Sequence, residues 1–107
     1  MAIETCVMVH GQKAVDLARQ YIGNKCYSGV YVNGEWIAQA EVTVDDDGYY
    51  NGRPNKWVDF SYIEPENVEN VLSWLRENGF SGCFAVIRDE IINGDLVMPV
   101  NKKEITL

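Results

Sequence analysis

No stretch of this chain is apolar for long enough to cross a membrane. A spanning helix needs about 20 predominantly apolar residues, and charged residues interrupt every stretch of that length in the 107 residues. The chain also begins without the basic cluster and apolar run of a secretory signal, since Glu4 is its first charged side chain. We therefore expect a cytoplasmic protein that does not contact membranes.

Cysteines are few, and their spacing shows no pairs. The three cysteines, Cys6, Cys26 and Cys83, are far apart, which favours free thiols in a reducing compartment over a disulfide framework. With His10 they would supply the four ligands of a zinc site, but structural zinc sites bring ligands in close pairs. On a strand, Cys6 and His10 would also lie about 13 Å apart. No metal and no other cofactor is predicted.

Basic residues are scarce as well. Nine lysines and arginines stand against 16 acids, giving a net charge of −7, and the bases are scattered along the chain. Proteins that bind nucleic acid neutralise its phosphates with a stripe of basic residues, so direct nucleic-acid binding is not expected. The glycine-rich loops that cradle phosphates are also missing.

The acids, by contrast, are concentrated in one third of the chain. The segment 35–69 contains only two bases, and its acids account for the whole net charge. A concentrated negative region in an otherwise balanced chain is typical of a surface that meets a positive partner. The acids of this segment are Glu35, Glu41, Asp45, Asp46, Asp47, Asp59, Glu64, Glu66 and Glu69.

The centre of the acidic segment is the run Asp-Asp-Asp-Gly at residues 45–48. Its alternate carboxylates resemble the start of a calcium loop. The EF-hand pattern then requires Asp or Asn, Gly and Glu at its fifth, sixth and twelfth positions, where this chain has Tyr49, Tyr50 and Lys56. No calcium site is predicted. The alternative to a functional role is a solvated hairpin tip, because Asp-Gly is itself a turn dipeptide.

Hydrophobic periodicity predicts alternating strands and helices. Residues 3–9 alternate as a strand does, and apolar residues at a helical period predict a helix over Gln12–Ile22. A second strand over Tyr27–Val32 leads into Asn33-Gly34, the dipeptide that a two-residue type I′ turn requires. These local signals predict a helix followed by a β-hairpin.

The return strand of that hairpin is predicted over residues 35–44. Alternation places Trp36 on a packed face with Ala38, and Glu35 with Glu41 on a solvated face, with Ile37 as the one exception. The polar residues that follow, to Lys56, are rich in glycine and proline. They are predicted to form a loop.

The second half predicts one more helix and three further strands. A strand over 57–63 precedes a helix that begins at Pro65 and ends at Gly79; another strand follows at 83–87, then a hairpin at Asn93-Gly94. The tail, 102–107, is an edge strand or a frayed end. Residues 1–107 therefore form a single α+β domain, with a mostly antiparallel sheet of five to six strands and two helices on one face (β-α-β-β-β-α-β-β).

Charge and aromatic content together suggest a function. We hypothesise a small, non-enzymatic binding protein that occludes a basic protein such as a nuclease, a toxin or another nucleic-acid-binding protein. Immunity proteins, antitoxins and counter-defence proteins of phages or plasmids are analogous in size and charge. The acids would pair with Arg or Lys in place of nucleic-acid phosphates, and the rings would add contact area. The predicted partner-binding residues are Glu35, Glu41, Asp45, Asp46, Asp47, Tyr49, Tyr50, Trp57 and Asp59.

Two alternatives from other classes remain open. A small enzyme or ligand-binding domain would use Cys26 as a nucleophile and His10 as its base. A self-associating domain would use Trp36 and Ile37, or the tail strand, as its contact surface. The sequence does not specify an oligomeric state.

Overall fold

The computed structural model describes the backbone of residues 2–25, 27–50 and 53–107. It describes the side chains of residues 2–25, 27–42 and 56–107. These residues form six strands and two helices. The elements are β1 (Ala2–His10), α1 (Gln12–Ile22), β2 (Tyr27–Val32), β3 (Glu35–Tyr50), β4 (Arg53–Ile63), α2 (Val68–Leu75), β5 (Phe84–Asn93) and β6 (Leu96–Thr106). The predicted α+β class and element order are confirmed. Neither described helix is long and apolar enough to span a membrane.

β1 lies inside the sheet, between β4 and β5. The strand order is β2-β3-β4-β1-β5-β6, and every neighbouring pair is antiparallel. All residues of β1 from Thr5 to His10 are buried. This order brings β3 and β4, which carry the predicted partner-binding residues, next to each other, and it leaves β2 and β6 at the edges.

α1 and α2 cover one face of the sheet. Ala14 and Val15 of α1 join Val71 and Leu75 of α2 in a single buried cluster with alternate residues of the strands. α1 has the predicted bounds because its signals are local: an apolar stripe, and Gly23 with φ 69° just after its last residue. The main core therefore lies between this face and the two helices.

The second helical segment has three parts. A 3₁₀ turn, Pro65–Asn67, leads into α2, and a wider turn, Arg76–Phe80, closes the segment at Gly79 with φ 96°. Proline is tolerated at the start because first-turn N–H groups have no acceptor within a helix. The predicted helix between Pro65 and Gly79 is present, with a shorter α-helical part.

The segment predicted as a polar loop, 45–56, is mostly strand. β3 continues to Tyr50 and β4 begins at Arg53, so that Asp45 lies opposite Asn55. The register is irregular just after Asp45, where β3 has extra residues. The prediction was wrong because it weighed only local propensity, whereas pairing with a neighbouring strand supplies backbone hydrogen bonds that outweigh it.

The C-terminal part forms a long hairpin. β5 continues well past the predicted strand to Asn93, and a two-residue turn at Gly94 and Asp95 leads into β6. The tail is therefore part of an edge strand, which was one of the two outcomes predicted for it. Pro99 and the pair Lys102-Lys103 lie on this edge; proline and lysine on an edge strand hinder pairing with further strands.

β3 contains a β-bulge at Ile37. Its register with β2 shifts between Val30 and Tyr31, where β3 has one extra residue. An extra residue reverses the alternation of side chains beyond it. Trp36 therefore lies on the face opposite Ala38, and the prediction that both pack on one face is wrong. Ile37 itself is buried in the main core.

Candidate functional site

The face of the sheet turned away from the helices, here the open face, carries a smaller apolar cluster. Cys6, Met8 and Val86 are buried there, and Trp57 and Phe84 pack against them. In the part of the chain that the structure describes, no helical side chain joins this cluster. By cross-strand register the open face includes Tyr27, Gly29 and Tyr31 of β2, Trp36, Gln39 and Glu41 of β3, Trp57, Asp59 and Ser61 of β4, Cys6 and Met8 of β1, and Phe84, Val86 and Arg88 of β5.

A row of directly opposed residues crosses the open face from edge to edge. Glu41 and Asp59 are neighbours within it, and the next two residues, Met8 and Val86, are apolar. The row consists of Tyr27, Glu41, Asp59, Met8, Val86 and Glu104, one residue from each strand in sheet order.

Glu41 and Asp59 are thus two carboxylates on directly opposed positions of β3 and β4. Opposed residues of an antiparallel pair have Cβ atoms about 4.5–5.5 Å apart, and like charges at such positions destabilise the sheet. Glu41 is exposed and Asp59 is half-buried. The open face therefore contains a pairing of two acidic side chains that the fold does not favour.

Asp59 is the most constrained of these acids. Its Oδ2 accepts a hydrogen bond of 3.0 Å from the indole N–H of Trp57, and its Oδ1 lies 3.8 Å from the thiol of Cys6. Burial raises the pKa of Asp59 above its ordinary value, and Glu41 raises it further, while the bond from Trp57 and the charge of Arg88 oppose the rise. The net effect of these interactions is that Asp59 becomes protonated at a higher pH than an exposed aspartate does.

Cys6 is the only described thiol on the open face, and it is not suited to nucleophilic chemistry. Burial, with the charge of Asp59 adding to it, raises the pKa of Cys6 to about 12. The thiolate is the reactive form of cysteine. Cys6 is therefore a packing residue that also contacts Asp59 and, at 3.7 Å, Ser61 Oγ.

Exposed aromatic rings lie on the same face as the acid pair: Tyr27 is directly opposite Glu41, and Tyr31 pairs with Trp36 further along β2 and β3. Tyr27 and Tyr31 on β2 and Trp36 on β3 are all exposed, Trp36 by 45%. The rings of Trp36 and Tyr31 lie over Gly29, where a Cβ would come within 2.7 Å of Trp36 Cδ1. The absence of a side chain at Gly29 therefore makes room for these rings. Three large exposed rings on the same face as two carboxylates are typical of a contact surface.

Sequence reasoning missed these three rings as site residues. Strand alternation predicts Trp36 on the packed face and gives it a contact role only in the self-association hypothesis, and it predicts no site role for Tyr27 or Tyr31. The available signal was Ile37, the one residue that broke the alternation of β3, since an exception of this kind is what a bulge produces. The long-range register that decides it is not readable from one strand.

The structure brings three of the predicted partner-binding residues together. Glu41, Trp57 and Asp59 share the open face within two neighbouring strands. Five other predicted residues follow Glu41 in β3, where the structure describes only their backbone: Asp45, Asp46, Asp47, Tyr49 and Tyr50. Their side chains lie outside the described residues.

Glu35 is not part of this group. It lies directly opposite Val32, which packs against the main core, so Glu35 starts on the helix side of the sheet. The prediction that Glu35 and Glu41 share one solvated face is wrong, because the bulge at Ile37 separates them. Glu35 instead lines a cavity at the end of the sheet.

The structure bears unevenly on the residues of the two alternative hypotheses. His10 is buried, with its ring 6.0 Å from Trp57 and 5.6 Å from Phe84, and Cys26 lies outside the described residues. Of the residues named for self-association, Ile37 is only 4% exposed and is not available, whereas Trp36 is exposed and the tail strand β6 presents exposed apolar side chains at the sheet edge. Within the described ranges, no three His, Cys, Asp or Glu side chains are arranged to hold a metal ion.

Asp59→Asn is expected to stabilise the protein at pH 7 but not at pH 3. A carboxyl whose pKa is raised by folding makes the fold less stable as the pH rises from its ordinary pKa through the raised one. Asparagine removes that loss, and its amide oxygen still accepts the hydrogen bond from Trp57. Urea denaturation of both proteins at several pH values measures the difference, which we expect to grow with pH.

The opposite trend would contradict this description of Asp59. If the variant became progressively less stable than the wild type as the pH rises, the attraction of Arg88 would outweigh both burial and the repulsion from Glu41. Glu77→Gln, at an exposed position beyond α2, is the matched control, since it removes one charge without altering the open face.

Comparisons of this chain with family models, with curated proteins and with solved structures found no match. Its function is therefore argued from the geometry of the site. Paired acids with an exposed ring directly opposite one of them can attract a cation, and the thiol beside Asp59 is held in its unreactive protonated form.

Proposed function

We propose that this protein is a non-enzymatic binding protein whose open face occludes a positively charged protein partner. The observation that carries the proposal is the acid pair: Glu41 and Asp59 are directly opposed on the open face. Two like charges at such positions destabilise the isolated sheet. A cationic side chain placed between them would remove that repulsion, so the face favours a basic partner.

The exposed rings support the same proposal. Tyr27, Tyr31 and Trp36 offer large, rigid contact areas, and aromatic residues at the centre of an interface contribute much of its binding energy. Trp and Tyr rings also attract Arg and Lys through cation–π interactions worth about 0.5–2 kcal/mol each. The acids would speed encounter with a basic surface, and the rings would slow dissociation.

The proposed partner is a protein that itself recognises nucleic acid. Nucleases, nuclease toxins and other such proteins present basic surfaces that pair with phosphates, and rows of carboxylates can take the place of phosphates there. The segment 35–69 contributes all of the net charge of −7, which suits this role. By analogy, the protein would act as an immunity, antitoxin or counter-defence protein in the cytoplasm.

Removing both charges of the acid pair is expected to weaken partner binding about tenfold at low salt, because fewer charges steer the encounter. The experiment compares the wild type with the double variant Glu41→Gln/Asp59→Asn as bait in a lysate of the source organism, followed by rate measurements on the purified partner. The matched control is Glu77→Gln/Asp95→Asn, which removes two exposed charges outside the open face. We expect the control to bind as the wild type does.

The dependence of binding on salt concentration distinguishes an electrostatic interface from one held only by apolar contacts. Binding of a basic partner should fall steeply between low and high ionic strength, because exposed charges are screened beyond about 10 Å at 0.1 M salt. A partner retained equally at high salt, and equally by the double variant, would contradict the proposal. A triple variant, Asp45→Asn/Asp46→Asn/Asp47→Asn, then measures whether the continuation of β3 contributes to the same surface.

A further inference from the structure

A cavity of about 400 Å³ lies at the end of the sheet where β3 begins and β4 ends. Its walls combine carboxylates with aromatic rings, and no basic residue is among the described residues that line it. The lining residues are Glu4, Glu35, Trp36, Ile37, Tyr62, Glu64 and Asn67.

The antiparallel order of the strands explains why these residues meet. β4 pairs with β3 on one side and with β1 on the other. Because both neighbours run opposite to β4, their first residues flank its last ones, which places Glu4 and Glu35 on either side of Tyr62 and Glu64. Residues from distant parts of the chain therefore converge on one cavity.

Two β-bulges lie in the strands whose residues line the cavity. One is at Ile37 in β3. The other is in β4, where Ser61 and Tyr62 together stand opposite the single residue Cys6 of β1. Tyr62 has φ 59°, a left-handed conformation unusual for an aromatic residue, and it remains 51% exposed. Bulges of this kind re-aim a side chain, and they are frequent beside functional sites.

All the charged residues in the described lining of the cavity are acidic. Three of its residues, Glu4, Glu35 and Glu64, carry carboxylates. A hydrogen bond with Glu66 raises the pKa of Glu64, and the charges of Glu66 and Glu4 raise it further. The acids of this region therefore repel one another, as those of the open face do, and a bound cation would stabilise them.

We propose that this cavity binds the guanidinium group of an arginine side chain presented by the basic partner. The proposal rests on the function proposed above, and it names the chemical group that the partner inserts. Trp36 connects the two sites, since it lines the cavity and also lies on the open face. One partner could therefore contact the acid pair and fill the cavity at the same time.

The chemistry of the lining favours a guanidinium group over other cations. A metal ion needs several oxygen ligands within about 2.6 Å, and no metal-ligating cluster is found among the side chains that the structure describes. Guanidinium is planar and weakly hydrated, stacks on aromatic rings and donates up to five hydrogen bonds. Two rings, three carboxylates and the side chain of Asn67 supply acceptors and stacking surfaces for such a group.

The probe for this site is N-acetyl-arginine methylamide, titrated into the full chain while the indole N–H signal of Trp36 is followed by NMR. The neutral isostere N-acetyl-citrulline methylamide and the lysine counterpart are titrated in parallel. We expect saturable shifts with the arginine probe and at least tenfold weaker binding of the other two. Equal binding of the citrulline probe, or no saturable shift with arginine, would overturn the proposal. Equal binding of the lysine probe would overturn the assignment to guanidinium.

Two variants test the lining without disturbing the core. Glu35→Gln should weaken binding of the arginine probe about tenfold, equivalent to about 1.4 kcal/mol. Tyr62→Asn should weaken it several-fold while keeping the backbone, because asparagine tolerates the left-handed conformation. Glu77→Gln is the control and should bind as the wild type does. If Glu77→Gln lost as much affinity for the arginine probe as Glu35→Gln does, the probe would not be binding specifically at the cavity.

The same variants separate this proposal from the proposed function. If the acid-pair variant loses the partner while Glu35→Gln retains it at full affinity, the function stands and the arginine pocket is wrong. If the arginine probe binds at the cavity but no basic partner is retained by the wild type, the guanidinium site stands and the partner is wrong. Loss of affinity for both the partner and the probe in Glu35→Gln supports the two proposals together.

Discussion

Cys6 is expected to react with iodoacetamide at pH 8 about a thousandfold more slowly in the folded protein than an ordinary cysteine does. Its pKa is raised to about 12. At pH 8 only about one thiol in ten thousand is then ionised, compared with roughly one in ten at the ordinary pKa of 9.0, and only the thiolate attacks. Cys6 is also just 4% exposed, which slows the reaction further.

The measurement is mass spectrometry of the peptide containing Cys6 after timed labelling, with protein in urea as the control. In urea the burial is lost, and labelling should reach the rate of a free cysteine. Labelling of native Cys6 at that same rate would mean that the open face opens readily or that the thiol is not desolvated. Either result would contradict the description of Cys6 as a packing residue and would favour a catalytic role for it on this face.

Phe60→Ala is expected to lower the free energy of unfolding by about 3–5 kcal/mol. Phe60 is 1% exposed and lies on β4 between Asp59 and Ser61, with its side chain on the helix side. Its ring makes edge contacts with Phe80 at 5.8 Å and Trp74 at 6.2 Å between ring centroids. Truncation removes these contacts and leaves a cavity behind the strand that carries Asp59.

The loss would be a large part of the stability of a domain of this size, which is usually about 5–15 kcal/mol. Urea denaturation at pH 7 measures it. Phe60→Leu is the conservative variant, with an expected cost of about 1 kcal/mol. Tyr27→Ala is the matched control, because it removes a ring from an exposed position of the open face, where we expect a change within about 1 kcal/mol. Equal losses for Phe60→Ala and Tyr27→Ala would contradict the assignment of the two faces.

Several elements could be predicted closely from the sequence. The bounds of α1 follow from its apolar stripe and its terminal Gly23, and the first hairpin follows from Asn33-Gly34, whose φ angles of 52° and 82° are both positive. Each of these signals lies within a few residues of the structure it specifies. Local dihedral preferences and helical periodicity therefore suffice for them.

The candidate site could be predicted only in part. Glu41, Trp57 and Asp59 were named, and the structure brings them together on one face. Glu35 was placed with them wrongly, and the exposed ring of Trp36 was assigned to the core, because one extra residue at Ile37 reverses the alternation. Whether a strand carries such a bulge depends on its pairing with another strand, and simple alternation does not report it.

The amino-acid sequence by itself determined the fold class, the order of strands and helices, and the concentration of negative charge between residues 35 and 69. These properties depend on composition and on patterns a few residues long. The tertiary structure decided which strands are neighbours, which side chains share a face, and that Glu4, Glu35 and Glu64 converge on one cavity. Such arrangements arise from hydrogen bonds between residues far apart in the chain, and a shift of register by one residue moves a side chain to the other face.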